Sequence, residues 1–275
     1  MRQRVTSAAI LVPAAMAAVW VGGLALGAAI GLIAVLASIE VFRLLKAAGY
    51  PSFPMLGSAF ALVVVLDAVA PPILEGSGLL LGAVAIVLIG VGALSRPDPR
   101  EGLATWATTV FGALYVSLIA FVVRLATEGP PLADAAPLGG LGPERAWVIL
   151  LVLLVWAYDT GAFLVGRRFG RRPFMQHLSP SKTVEGLAGG LVAAAGASAL
   201  LHLGLGLSPL VGLGLGVIVG AAAQAGDLAE SMLKRAAGAR ESGTLIPGHG
   251  GMLDRIDSIL FAAPIVMLYV VAFVR

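Results

Sequence analysis

The stretch AWVILLVLLVWAYDTGAFLVG, residues 146–166, decides the fold class. A helix crossing the hydrocarbon layer of a bilayer needs ~20 apolar residues, and this run meets that length with a single charged residue, Asp159. Similar stretches lie near 5–22, 24–42, 53–70, 77–94, 105–125, 186–205, 208–230 and 256–274, separated by charged or Pro/Gly-rich breaks. Of the 275 residues, 59% are hydrophobic and 12% charged, against about 45–50% and about 25% in soluble domains. Mean hydropathy is +0.98. A soluble globule must still cover itself with polar groups, so this composition excludes one. The expectation is an all-α, polytopic integral membrane protein with about nine transmembrane helices, one transmembrane domain over 1–275, and no soluble domain. Arg2 and Arg4 before an apolar run resemble a signal peptide, but the run continues into further spans, which favours a retained first helix. The absence of cysteine excludes disulfides, thiolate metal sites and cysteine nucleophiles.

Orientation follows from the Lys and Arg count of alternate loops. With nine spans, the side that holds the N-terminus carries 15 of these residues, and the other side carries 3: Arg124, Arg145 and Arg275. The asymmetry places the N-terminus in the cytoplasm and the 127–145 connection outside. Two cytoplasmic loops, 167–185 and 231–255, hold 9 of the 18 basic residues. Attraction to anionic headgroups, about 1 kcal/mol per basic residue near the surface, accounts for the arginines of 167–172 as well as any substrate role does. The second loop is too varied in its polar chemistry for a topology signal alone.

Glu40, Asp159, Asp227 and Glu230 lie within or at the edge of apolar spans, where an ionisable group is costly unless paired or solvated. Asp67 reads as interfacial. Asp227, Glu230 and Ser231 share one helical face; Asp254 and Asp257 open the last span. Carboxylates at the cytoplasmic ends of two spans suit Mg²⁺, a hard cation that keeps waters and shares its coordination with phosphates. The alternative is that Asp227 and Asp254 neutralise Lys234, Arg235 or Arg255. Between them, Gly248, Gly250 and Gly251 surround His249 just ahead of a helix, a geometry that can bind phosphate or simply make a turn. SPSKTVEG, residues 179–186, brings Ser179, Ser181, Lys182 and Thr183, with Thr183 also reading as an ordinary N-cap. Two of only three lysines, Lys182 and Lys234, fall in these loops, where a flexible point charge can follow a phosphate. Gly212, Gly216 and Gly220 recur at i+4 as a helix-packing face, and His202 reads as a satisfied or interfacial side chain.

Ser231-Met-Leu-Lys234-Arg235, four residues, Arg240-Glu241, and then Pro247-Gly-His249-Gly250-Gly251-Met-Leu-Asp254-Arg255-Ile-Asp257 resembles the signature of the phosphatidate cytidylyltransferase (CDP-diacylglycerol synthase) family. It spans 27 residues with many fixed polar positions. The family usually has Lys-Asp where this chain has Arg240-Glu241, a swap that keeps the charge signs and lengthens the acid. YDTGAFLVGRRFGRRP, SPSKTVEG, and Gly226-Asp227-Leu228 with Glu230-Ser231 also look like family segments. The resemblance is strong over 145–260, while residues 1–140 match only in hydrophobic layout. It implies a catalytic C-terminal part, 145–275, that transfers CMP from CTP to phosphatidic acid with Mg²⁺, giving CDP-diacylglycerol and pyrophosphate. It implies Asp227, Asp254, Lys234 and His249 as catalytic residues, with Asp227 and Asp254 as metal ligands and Glu230, Glu241 and Asp257 behind them. Ser179, Ser181, Lys182, Thr183, Ser231, Arg235, Arg240, Gly250, Gly251 and Arg255 are then the substrate-binding set.

The expected partners are CTP, phosphatidic acid and the lipid bilayer, with no nucleic acid; a homodimer stays open, and the setting is a bacterial inner membrane. Two other classes compete. A transporter would use Asp159, Asp227 and Glu230 as ion relays, yet the chain lacks an inverted repeat and its polar residues gather on one side. A different enzyme acting on a lipid phosphate would use similar loops. Reporter fusions at Pro180 and Gly243 are expected to signal inside and one at Gly140 outside; an outside signal at Gly243 would overturn the orientation.

Overall fold

The computed structural model describes residues 2–69, 78–133, 135–248 and 250–274. Ten α-helices are present among them: α1 Arg2–Val21, α2 Gly23–Ala47, α3 Pro54–Val69, α4 Gly78–Ala93, α5 Pro99–Ser117, α6 Ala120–Glu128, α7 Pro143–Phe169, α8 Val184–Gly204, α9 Pro209–Ala236 and α10 Leu253–Tyr269. The described residues contain no β-strand; two isolated bridges, Pro173 with Thr183 and Ile246 with Gly250, close loops. Six helical segments are long and apolar enough to cross a membrane: Gly23–Ala47, Pro99–Glu128, Pro143–Phe169, Val184–Gly204, Pro209–Ala236 and Leu253–Val274. The other expected spans are shorter apolar helices, Leu11–Val21, Pro54–Val69 and Leu80–Ala93. The stretch expected at 105–125 is interrupted by a turn between α5 and α6. Just before it, Ser117 Oγ donates to the Ala113 carbonyl at 2.7 Å.

The chain forms two compact units. The first comprises Met1–Val123 and Met232–Ile256, so the glycine-rich loop packs with the N-terminal helices. Here α2, α3 and α5 meet around Phe42, against which Gly57 and Gly112 leave no room for a Cβ. Phe60, Ile89 and Ala113 join α3, α4 and α5 in a buried cluster. Asp98 caps α5 by accepting from Arg100 N at 2.9 Å, with Pro99 in the first turn.

The second unit comprises Arg124–Ser231 and Asp257–Arg275. Glycines let its helices approach backbone to backbone. A Cβ on Gly161 of α7 would lie 2.8 Å from the Gly189 carbonyl of α8, and one on Gly190 would lie 2.6 Å from the Tyr158 ring. The face expected from Gly212, Gly216 and Gly220 is a packing face: Gly216 abuts the backbone of Ala194 and Ala195, and Gly220 abuts Tyr158. Two side-chain pairs link helices inside this unit. Tyr158 donates to Gln224 Oε1 at 2.7 Å. His202, fully buried, has Nδ1 2.8 Å from the Ser198 carbonyl and Nε2 2.8 Å from the Tyr269 hydroxyl, as expected of a satisfied histidine. Large apolar side chains remain on the outside, Val192, Leu210 and Phe273 among them; in a bilayer these face acyl chains at no cost. Gly216→Val should destabilise the protein in detergent by about 1–3 kcal/mol through overpacking, whereas Gly196→Val, with nothing within 4 Å of its added carbon, should leave the thermal midpoint nearly unchanged.

Candidate active site

The loop 170–183 precedes α8 and is pinned from it. Glu185 in the first turn of α8 accepts from Arg171 N at 3.0 Å, Arg172 N at 3.1 Å and Arg172 Nε at 3.0 Å. Arg172 and Lys182 are tied across the loop, Phe174 N to the Lys182 carbonyl at 2.8 Å and Val184 N to the Arg172 carbonyl at 2.9 Å. Thr183 Oγ1 accepts from Gly186 N at 3.1 Å, so its hydroxyl serves as the N-cap of α8. Lys182 emerges between these anchors and forms an ion pair with Asp227 of α9. Asp159 of α7 interacts electrostatically with Lys182 and with Asp257 of α10. One half-buried lysine of the second unit therefore sits between carboxylates from two helices, Asp159 of α7 and Asp227 of α9.

In the first unit, α9 ends where Ala239 N donates to the Lys234 carbonyl at 2.8 Å and Gly238 adopts φ +65°, a glycine-type helix stop. Lys234 Nζ donates to Asp254 Oδ1 at 2.7 Å, and the two side chains are 12% and 8% exposed. Asp254 Oδ2 accepts from Ser242 N at 2.9 Å and Gly251 N at 2.8 Å and lies 2.8 Å from Ser242 Oγ. Gly250, at φ +79°, lies against Asp254 so closely that a Cβ would fall 2.6 Å from Oδ2. The carboxylate thus reaches back over the glycine-rich turn and folds it around itself.

The structure joins Lys182 to Asp227 in one unit and Lys234, Gly250 and Gly251 to Asp254 in the other. The ion-pair alternative holds for Asp254 and Lys234; Asp227 takes Lys182 rather than Lys234, Arg235 or Arg255. Arg235, Arg240, Glu241, Arg255 and Ser181 are exposed, Ser179 and Asp257 are half-buried, and Glu230 and Ser231 are buried. His249 lies outside the described residues. Two side chains that hold this loop, Ser242 and Glu40, carry no motif signal of their own; the one available clue was a carboxylate at position 40 inside an apolar helix.

Among the described residues, no three His, Asp or Glu side chains converge closely enough to hold an ion alone. Mg²⁺ fits such a site nonetheless, because it is commonly held by one or two carboxylates, waters and substrate phosphates. Asp227, with Lys182 on one oxygen and its side chain 28% exposed, has room for that role. Asp254 already directs both oxygens to donors.

A model of the cytidylyltransferase family matches residues 2–273. The chain is 34% identical to the phosphatidate cytidylyltransferase of Synechocystis sp., a match covering 98% of this chain and 96% of that protein. It is also 34% identical to the phosphatidate cytidylyltransferase of Mycobacterium tuberculosis, over 86% of this chain and 72% of that one. The phosphatidate cytidylyltransferase of Haemophilus influenzae is 43% identical over a shorter region, 42% of this chain and 43% of its own.

Removing one member of a buried ion pair costs about 3–5 kcal/mol, because the other charge is stranded. Lys234→Ala should therefore lower both the thermal midpoint and any turnover. Adding Asp254→Asn should restore much of the midpoint without restoring turnover, since the cation stays missing. Arg168→Ala, at the exposed end of α7, should change neither by comparison. Equal and modest losses from Lys234→Ala and Arg168→Ala would mean a diffuse basic surface instead.

Proposed function

The chain belongs to the cytidylyltransferase family, and we propose that it is a phosphatidate cytidylyltransferase, transferring CMP from CTP to phosphatidic acid to give CDP-diacylglycerol and pyrophosphate. The observation that carries this reading is the match along nearly the whole chain to a protein of that name. A phosphate oxygen of the lipid attacks the α-phosphorus of CTP. A new P–O bond forms, the bond from the α-phosphorus to the bridging oxygen breaks, and pyrophosphate leaves with that electron pair. Such a step needs positioning and charge neutralisation more than covalent help from the protein.

Lys182 and Lys234 are the cations for this work, each held by an aspartate before any phosphate arrives. A substrate phosphate can take over the ammonium from its aspartate without a large movement of the lysine, and the aspartate then becomes available to a metal. Arg235, Arg240 and Arg255, exposed near the second lysine in sequence, supply further donors. Asp227 and Asp254 are the proposed Mg²⁺ ligands, with Glu230, Glu241 and Asp257 as supporting candidates. The ion, when bound, would offset phosphate charge and orient the leaving group. His249 and the glycine backbone of 248–251 are proposed to meet phosphate oxygens. The loops 167–185 and 231–255 and the N-terminus are cytoplasmic on this reading, at the inner membrane of a bacterium, where soluble CTP can meet a lipid whose acyl chains stay in the bilayer.

The test is direct. Purified protein in detergent, given labelled CTP, Mg²⁺ and phosphatidic acid, should release pyrophosphate only when the lipid is present. Absence of release together with ion flux in proteoliposomes would support the transporter alternative. Asp227→Asn should abolish turnover or raise the Mg²⁺ concentration it requires; a folded variant with normal turnover and an unchanged Mg²⁺ response would remove Asp227 from the ligand set.

A further inference from the structure

Two glutamates are buried among the described residues, Glu230 and Glu40. Glu40 lies on α2, 4% exposed, and its carboxylate enters the loop that Asp254 organises, 202 residues away in sequence from Ser242. Glu40 Oε1 accepts from Met252 N at 2.9 Å, and Oε2 accepts from Leu253 N at 2.8 Å. Those amides begin α10 and have no partner inside the helix, so a carboxylate there satisfies them and complements the helix dipole. Ser242 Oγ is 2.8 Å from Glu40 Oε2 and 2.8 Å from Asp254 Oδ2. Its one proton serves one of them at a time and bridges the two anions. Two loop glycines are explained by the same side chain. A Cβ on Gly243 would lie 2.6 Å from Glu40 Oε1, with Glu40 Cδ and Cγ as its next neighbours, and one on Gly251 would strike both Glu40 and Ser242.

We propose that Glu40 is a positioning residue for the transfer reaction. It touches no substrate. It fixes the start of α10 and the 242–253 turn from one side while Asp254 fixes the turn from the other, so that the cation of Lys234 is held at a fixed place in the loop. The N-terminal helices thereby contribute to the site through a carboxylate that no part of the glycine-rich motif contains. What the loop does rests on the cytidylyltransferase reading; the anchoring does not.

The experiment compares full-length wild type and Glu40→Gln in detergent, by amide hydrogen exchange without substrate and by turnover of CTP and phosphatidic acid. Glutamine keeps the size but presents an NH₂ group where an N–H needs an acceptor. Exchange at Met252 and Leu253 should accelerate at least tenfold with α8 unchanged, and turnover should fall at least tenfold. Glu101→Gln, at the exposed ion pair with Arg96, should alter neither. Gly243→Ala provides an independent probe that serves even where Glu40→Gln fails to fold. It should reduce turnover alone, yet add no loss to Glu40→Ala, because the side chain it would strike is gone. Unchanged exchange at Met252 and Leu253 in a folded variant, accelerated exchange with normal turnover, or additive losses in the Glu40→Ala, Gly243→Ala pair would each overturn the proposal. A wild type with no turnover would sink the cytidylyltransferase reading, while the exchange arm would still report on the anchor.

Discussion

An ionised carboxylate placed among apolar helices has to be met by a cation or by several N–H groups, because desolvation is otherwise too costly. The loops of this protein are organised around that requirement. Asp254 gathers Lys234, Ser242 and Gly251; Glu40 gathers the amides that open α10; at the surface, where desolvation is not the driving cost, Glu185 gathers the backbone of Arg171 and Arg172 in the same manner. In each case one side chain ties down a loop segment through the donors it collects. The same groups that would be liabilities in a core act here as the anchors of the two loops.

A second constraint is how closely helices can approach in surroundings as apolar as their own side chains. No hydrophobic driving force separates helix from lipid, so packing and internal hydrogen bonds have to do the work. The glycines of α7, α8 and α9 permit that approach, and buried polar pairs such as Tyr158 with Gln224 and His202 with Tyr269 fill the spaces between. A close-packed bundle gives Asp159 and Asp227 a defined setting beside Lys182, which a loosely packed one could not. On the proposed function, preorganised charge of this kind would be worth more to a reaction that develops charge on phosphate than charge recruited at the moment of reaction.

Residues 146–166 and the stretches like them declare a helical membrane protein through length and apolarity alone, since hydrocarbon leaves the backbone no other way to satisfy its own polar groups in so short a run. The glycine-rich loop, the two lysines and the aspartates beside them are equally legible, because their chemistry is local and their order is that of a family signature. Partners are not local. Whether Asp227 meets Lys182 or Lys234 depends on how α8 and α9 stack, and the chain places both lysines within reach of a guess. The role of Glu40 is further out of range: an isolated carboxylate in an apolar helix announces that something must compensate it, but only the packing of α2 against a loop two hundred positions later decides that the compensation is the start of α10. Sequence determines which groups demand a partner; tertiary structure determines which partner each receives, because that choice depends on distances the chain order does not carry.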